Sequence, residues 1–257
     1  MQARVVPYAR GARWLADGFG LFRAAPFTWL ALVLAYWMLV TAISVLPLVG
    51  IAAASIVIPA FSVGFMAASR AAERKQGLGM SLLFAGFRAQ LAPQLVLGGV
   101  YLVLIALLLG ATALADDGGL ARWMLTGKRP EAEALQSDDF LAALLVAATL
   151  YMPVMMLFWF APVLVAWHSL SAPKALFFSF FACLMNWRAF LAYGAAGTLV
   201  TIVIPFGILF ALLLASGGTL KLSAMSLVFP MLLVLLPTLF ASFYASYRDV
   251  FGGEKET

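Results

Sequence analysis

The sequence predicts an all-α fold, a polytopic membrane bundle of six transmembrane helices. Two observations predict it. Of 257 residues, 65% are hydrophobic and 11% charged, with a mean hydropathy of +1.03; soluble domains run about 45–50% apolar and about 25% charged. The apolar residues also gather into charge-free stretches, and a transmembrane helix needs about 20 mostly apolar residues. One histidine and one cysteine exclude most metal clusters, disulfide frameworks and Cys/His catalytic dyads.

Taken in order, residues 1–25 are a basic, partly amphipathic lead-in. Leu15, Phe19 and Phe22 recur at helical spacing, opposite Arg10, Arg13 and Asp17. Residues 24–69 then carry no Asp, Glu, Lys or Arg. At 1.5 Å per residue this is too long for one span, and Pro47-Leu48-Val49-Gly50 supplies a turn. The first two spans are therefore 26–46 and 49–70. The third, 94–115, stops at Asp116-Asp117-Gly118-Gly119. After a polar loop over 116–138, the fourth covers 139–168, with Ser137-Asp138-Asp139 available as an N-cap. The fifth covers 189–215 and the sixth 224–247, leaving 248–257 as a tail of a single integral membrane domain. The first apolar run exceeds a signal-peptide h-region and flows into a second span, so no cleavable signal peptide is expected.

Lys and Arg are retained on the cytoplasmic side during insertion. With six spans, 12 of the 16 basic residues fall on the side that holds both termini, giving it +7 against −2 opposite. Both termini are expected in the cytoplasm of a bacterial cell and 116–138 in the periplasm. The basic surplus is a topology signal and needs no nucleic acid to explain it. It also attracts anionic lipid headgroups.

An internal repeat runs through the chain. An aromatic-Arg-Ala triplet sits before or at each odd-numbered span: Phe22-Arg23-Ala24, Phe87-Arg88-Ala89 and Trp187-Arg188-Ala189. The second and sixth spans echo each other, with PAFSVGFMAASR from Pro59 to Arg70 and PTLFASFYASYR from Pro237 to Arg248. The implied unit is a helix pair preceded by an interfacial amphipathic helix, repeated three times in parallel. In the second lead-in Met80, Leu83, Phe84, Phe87 and Leu91 make the apolar stripe. The third, from Leu176 to Trp187, is apolar nearly all round and is expected against the bundle.

Candidate sites are few. The spans lack ionisable groups of the kind that serve proton relays and ion pathways. Three aromatic-Arg pairs, Phe22 with Arg23, Phe87 with Arg88 and Trp187 with Arg188, suit a lipid phosphate, since Arg forks match phosphate oxygens and aromatics sit at headgroup depth; generic anchoring explains them equally. Six prolines fall within spans: Pro59, Pro153, Pro162, Pro205, Pro230 and Pro237. They kink the helices, either around a cavity or within a packed bundle. His168 reads as an interfacial residue at a helix end, and Cys183 as packing. Asp116, Asp117, Asp138 and Asp139 would be a divalent-cation site if brought together; helix capping accounts for them without a metal. Neither a catalytic set nor a cofactor is expected.

The stretches Gly18 to Pro26 (GFGLFRAAP) and Leu83 to Pro93 (LFAGFRAQLAP), with the Pro47/Gly50 turn, resemble a family of small, uncharacterised proteobacterial inner-membrane proteins. More distantly, the pattern is similar to YciC-like proteins and to the membrane domain fused to some glycerophosphodiester phosphodiesterases. The resemblance implies an integral inner-membrane protein and carries over no catalytic residues. The expected function is non-enzymatic: interaction with membrane lipids, or an accessory role beside a membrane-protein partner or a second copy. The alternative is a small transporter of a lipid or apolar molecule without ion coupling.

Overall fold

The computed structural model describes residues 2–46, 49–216 and 224–252. Pro47, Leu48, Gly217, Gly218, Lys221 and the tail beyond Gly252 lie outside the described residues. Among the described residues every regular element is helical. Six stretches are long and apolar enough to cross a membrane: Pro26–Ser44, Gly50–Glu73, Leu91–Asp116, Asp138–His168, Trp187–Ala215 and Pro230–Phe251.

Helix α1 (Tyr8–Ala24) precedes the first span and α2 (Pro26–Ser44) forms it, with Pro26 in the first turn, where proline's missing N–H costs no helical hydrogen bond. The second span is α3 (Gly50–Glu73). A 3₁₀ turn over Met80–Phe84 and the short α4 (Ala85–Arg88) lead into α5 (Leu91–Asp116). The segment read as a polar loop holds two small helices, α6 (Gly119–Thr126) and α7 (Ala132–Leu135). The fourth span is broken into α8 (Asp138–Phe158) and α9 (Ala161–His168). Helix α10 (Ala172–Met185) follows. The fifth span is α11 (Trp187–Thr198), a π-helical stretch over Leu199–Val203 and α12 (Ile204–Ala215), and the sixth is α13 (Ala224–Phe251). The π-stretch runs up to Pro205, whose missing N–H removes an α-helical bond at that point.

Helices α3 and α13 are central: 56% and 50% of their most apolar stretches are buried, against 6% for the fifth span. Small residues make this possible. A Cβ at Gly64 would lie 2.3 Å from the carbonyl oxygen of Leu83, and one at Gly98 would lie 2.0 Å from that of Ile56. Between apolar helices in lipid the hydrophobic effect supplies no net drive, so close backbone approach and polar contacts carry association.

The break in the fourth span has a specific cause. Pro162 cannot donate to the carbonyl four residues earlier and its ring crowds that carbonyl. Across the same break, the Ser179 hydroxyl accepts from the Phe160 N–H (2.9 Å) and donates to the Met156 carbonyl (2.8 Å). It replaces the helical bond these two groups would otherwise share. Gln94 on α5 donates from Nε2 to the Pro162 carbonyl at 2.8 Å. Residues at both ends of α9 then meet the last turns of α13: Phe160 lies 5.2 Å from Phe251 and Trp167 5.2 Å from Tyr247, ring centre to ring centre. So α9 runs across the end of α13 instead of extending α8.

The lead-in segments pack differently from a helix resting on a bilayer surface. Trp14 of α1 is 0% exposed, and Leu15 and Phe22 are buried; Phe19 alone of the stripe faces outward. The apolar face of α1 is covered by protein, between α11 and α13. Gly11 sets α1 against the Ala189 backbone and Gly18 against Thr238 and Ser242. The second lead-in lies on α3, with Leu83 over Gly64 and Gly86 over Ala60, while Met80, Phe84 and Leu91 face outward. The third packs against the bundle by one face. Ala175, Ser179, Ala182 and Cys183 are the buried face of α10, and Phe177, Phe178, Phe181 and Leu184 are exposed. Small residues turn inward because the α8–α9 break brings backbone close to this helix.

Candidate functional site

Six arginines of the terminus-bearing end form two contrasting sets. The first faces inward and is neutralised. Arg10 on α1 contacts the Asp249 carboxylate through Nε (2.7 Å) and Nη2 (2.6 Å), and reaches Asp17 at 3.2 Å. Trp14 Nε1 donates to the same Asp249 oxygen at 2.9 Å. Arg248 on α13 donates to Asp17 at 2.8 Å and to Glu73 on α3, and lies 3.5 Å from Asp249. The Tyr244 hydroxyl donates to the other Glu73 oxygen. Thus α1, α3 and α13 are tied at one end by two arginines and three carboxylates. Arg70, in the last turn of α3, instead stacks over Trp167 of α9, with the guanidinium 4.1 Å from the ring centre, a geometry favourable to a cation. His168 bonds the Tyr247 hydroxyl at 2.7 Å.

The second set is Arg23, Arg88 and Arg188, all exposed. Among the described residues, none of the three meets a carboxylate within 4 Å. Arg23 lies 5.7 Å from the ring centre of Phe19, not over Phe22, which is buried in the core. Arg188 lies 5.4 Å from that of Trp187, itself 52% exposed. Phe87 turns edge-on to Phe61 at 4.8 Å and so packs inward, away from Arg88's exposed position. Beside Arg188 is a hollow of about 430 Å³, lined by Val5, Tyr8, Asn186, Trp187 and Arg188 among others. Asn186 accepts from the Val6 N–H (2.8 Å) and donates to the Arg4 carbonyl (3.0 Å), which fixes the N-terminal segment as one wall.

The prolines do not converge. Pro59, Pro162, Pro205 and Pro237 are buried, whereas Pro153 and Pro230 face outward. Pro162 borders a small central cavity of about 50 Å³, with Ser62, Phe65, Met66, Trp159, Phe240 and Phe243 around it. Ligand pockets run to about 300–1,000 Å³. Phe65 and Phe240 stack here at 4.0 Å. At the opposite end of the bundle, Asp116 accepts from the N–H groups of Gly118 and Leu120, and Ser137 accepts from the Phe140 N–H. These residues cap α6 and α8, and no group of three or more metal-binding side chains comes together among the described residues. Cys183 is buried, and burial pushes its thiol pKa up.

Sequence reasoning placed Asp17 on the polar face of α1 but gave it no partner, and it missed Glu73, Asp249, Trp14 and Tyr244 altogether. The closest available signal was the matched Pro-to-Arg spacing that ends in Arg70 and Arg248.

No family model matches the chain, and no solved structure matches it. A probable inner membrane protein of Burkholderia thailandensis is 38% identical over 258 aligned residues, covering 98% of this chain and 94% of that protein. The comparison carries no link to YciC-like proteins or to phosphodiesterase membrane domains. With six helices apolar enough to span a bilayer and identity along almost the entire length, the chain belongs to the family of this probable inner membrane protein and is an integral inner-membrane protein.

Proposed function

We propose that the protein is a non-enzymatic inner-membrane component, with both termini in the cytoplasm, that engages anionic lipid headgroups through Arg23, Arg88 and Arg188. One observation carries this reading: the inward arginines are matched by carboxylates or a closely stacked ring, while these three stay exposed and meet no carboxylate within 4 Å among the described residues. A guanidinium left open is available to a phosphate fork, and near a membrane surface each such charge contributes about 1 kcal/mol of attraction to anionic lipid. The hollow beside Trp187 and Arg188 supplies apolar walls for the glycerol region. The three lead-ins pack in a cyclic way: the first on the last spans, the second on α3, the third on α8 and α9. This supports a threefold unit that sets one exposed arginine per repeat. Packing as tight as that at Phe65 and Phe240 supports a solid bundle over a conduit, so an accessory role beside a membrane partner fits better than transport.

The test is lipid content after purification in mild detergent. Arg23→Gln, Arg88→Gln and Arg188→Gln combined should lower the anionic share of co-purifying lipid. An unchanged share would refute the proposal. Orientation is tested separately by cysteines introduced at Gln136 and Gln76, both exposed. An impermeant thiol reagent added to whole periplasm-accessible cells should label the first and spare the second; the reverse pattern would overturn the topology.

A further inference from the structure

At the end of the bundle away from the termini, α5, α6, α7 and α8 enclose a hollow of about 510 Å³ whose lining includes Asp117, Asp139, Arg122 and Lys128. The other polar groups of this wall are already occupied. Asp116 accepts N–H bonds at both oxygens, from Gly118 at 3.1 Å and Leu120 at 2.6 Å, and Ser137 caps α8. The four remaining charges behave differently. Among the described residues no ion pair joins Arg122 or Lys128 to either Asp117 or Asp139, although all four border one hollow. Two cations and two anions are held around an open space without meeting.

The surroundings suit a lipid surface. Helix α6 is anchored by Leu120 and Trp123 against Phe140 and Ala143. On the helices that border the hollow, Leu114 of α5 is 92% exposed and Met124 and Leu125 of α6 are also exposed. Exposed apolar side chains on the same helices as a polar hollow suit a segment seated at the boundary between headgroups and acyl chains. A purely anionic ligand would meet Asp117 and Asp139, and a purely cationic one would meet Arg122 and Lys128. A group carrying both signs satisfies all four.

We propose that this hollow binds the phosphoethanolamine headgroup of a membrane phospholipid, with the phosphate toward Arg122 and Lys128 and the primary ammonium toward Asp117 and Asp139. The site is separate from the exposed arginines at the terminus-bearing end, in residues and in leaflet. The ammonium matters because it donates hydrogen bonds to carboxylates, which a trimethylammonium cannot do.

The experiment is native mass spectrometry of the delipidated full chain, offered equal amounts of phosphatidylethanolamine, phosphatidylcholine and phosphatidylglycerol. A single phosphatidylethanolamine adduct should survive activation that strips the other two. Paired substitutions Asp117→Asn with Asp139→Asn, and Arg122→Gln with Lys128→Gln, should each weaken that adduct roughly fivefold or more. Asn tolerates the left-handed backbone at position 117 (φ 50°), so the acidic pair tests charge with the fold kept. Substituting Arg23, Arg88 and Arg188 should leave this adduct unchanged, which separates the two lipid sites. Equal retention of the three lipids, or a phosphatidylethanolamine adduct unmoved by both paired substitutions, would overturn the proposal. Binding of free phosphoethanolamine with no preference among the lipids would overturn its assignment to a membrane lipid.

Discussion

Gly11→Ala tests whether α1 is part of the bundle. A Cβ at position 11 would stand 1.8 Å from the Ala189 carbonyl oxygen, 2.7 Å from its carbon and 3.0 Å from the Tyr193 nitrogen. All three are backbone atoms, so no side chain can swing aside. Non-bonded heavy atoms prefer separations of about 3.5 Å, and a gap of 0.5–1 Å already forfeits about a quarter to a half of each contact. Helices α1 and α11 would have to part by more than an ångström, loosening Trp14 from Phe190 and Tyr193. Overpacking of this kind costs about 1–3 kcal/mol, and the rigid obstacle puts it near the top of that range. Alanine's better helix propensity offsets about 1 kcal/mol, leaving a net loss of about 2 kcal/mol. Gly20 on the same helix is the control: a Cβ there meets nothing within 4 Å, so Gly20→Ala should stabilise by up to about 1 kcal/mol. The two variants are compared by SDS titration of detergent-solubilised protein, followed by tryptophan fluorescence. A Gly11→Ala midpoint at or above that of Gly20→Ala would refute the docking of α1 and restore a helix resting on the bilayer.

Three further outcomes are expected. Ser179→Ala should cost about 1–3 kcal/mol in the same titration, because it strands the Phe160 N–H and the Met156 carbonyl inside the protein; Ser179→Thr should recover part of the loss, and no loss for the alanine variant would mean that another group mends the break. A double-mutant cycle of Arg248→Gln with Glu73→Gln should show a coupling of about 0.5–1 kcal/mol that shrinks with salt. That low value follows from side chains about one-third exposed. Burial holds the Cys183 thiol protonated, so its alkylation at pH 8.5 should be at least about tenfold slower in the folded protein than after SDS unfolding; equal rates would place Cys183 at the surface.

The spans were legible because lipid imposes a length rule on every helix that crosses it, and residues such as those from Pro26 to Ser44 meet that rule in one dimension. What lies beside a span follows no such rule. The stripe of Leu15, Phe19 and Phe22 announces an amphipathic helix and is silent on whether lipid or protein covers it; Gly11 and Gly18, which decide the matter, carry no hydrophobic signal. In α10 the burial is confined to one face for a related reason. Its phenylalanines are the larger apolar groups, yet Ala175, Ser179, Ala182 and Cys183 go inward, since the interface there is made by close backbone approach and a hydroxyl. The fourth span showed its Pro162 in sequence, but the partner that stabilises the break, Ser179, lies beyond the end of that span.

The charged cluster shows the limit most sharply. Arg10 and Asp249 are 239 positions apart and Arg248 and Glu73 are 175 apart, so each reads alone as a residue flanking a span. Even the repeat misleads. Arg70 and Arg248 stand eleven residues after Pro59 and Pro237, in matched stretches, yet Arg70 rests on Trp167 while Arg248 lies between Asp17 and Glu73. The difference comes from the neighbour. Beside α13 lies α1, which brings Asp17 within reach; beside α3 lies the Met80–Arg88 segment, which contains no acid. Equivalent positions in a repeat therefore acquire different partners according to what packs against them. The same reasoning explains why Arg23, Arg88 and Arg188 stay open: each stands where a lead-in hands over to a span, facing outward, and no neighbouring helix among the described residues brings a carboxylate to meet it.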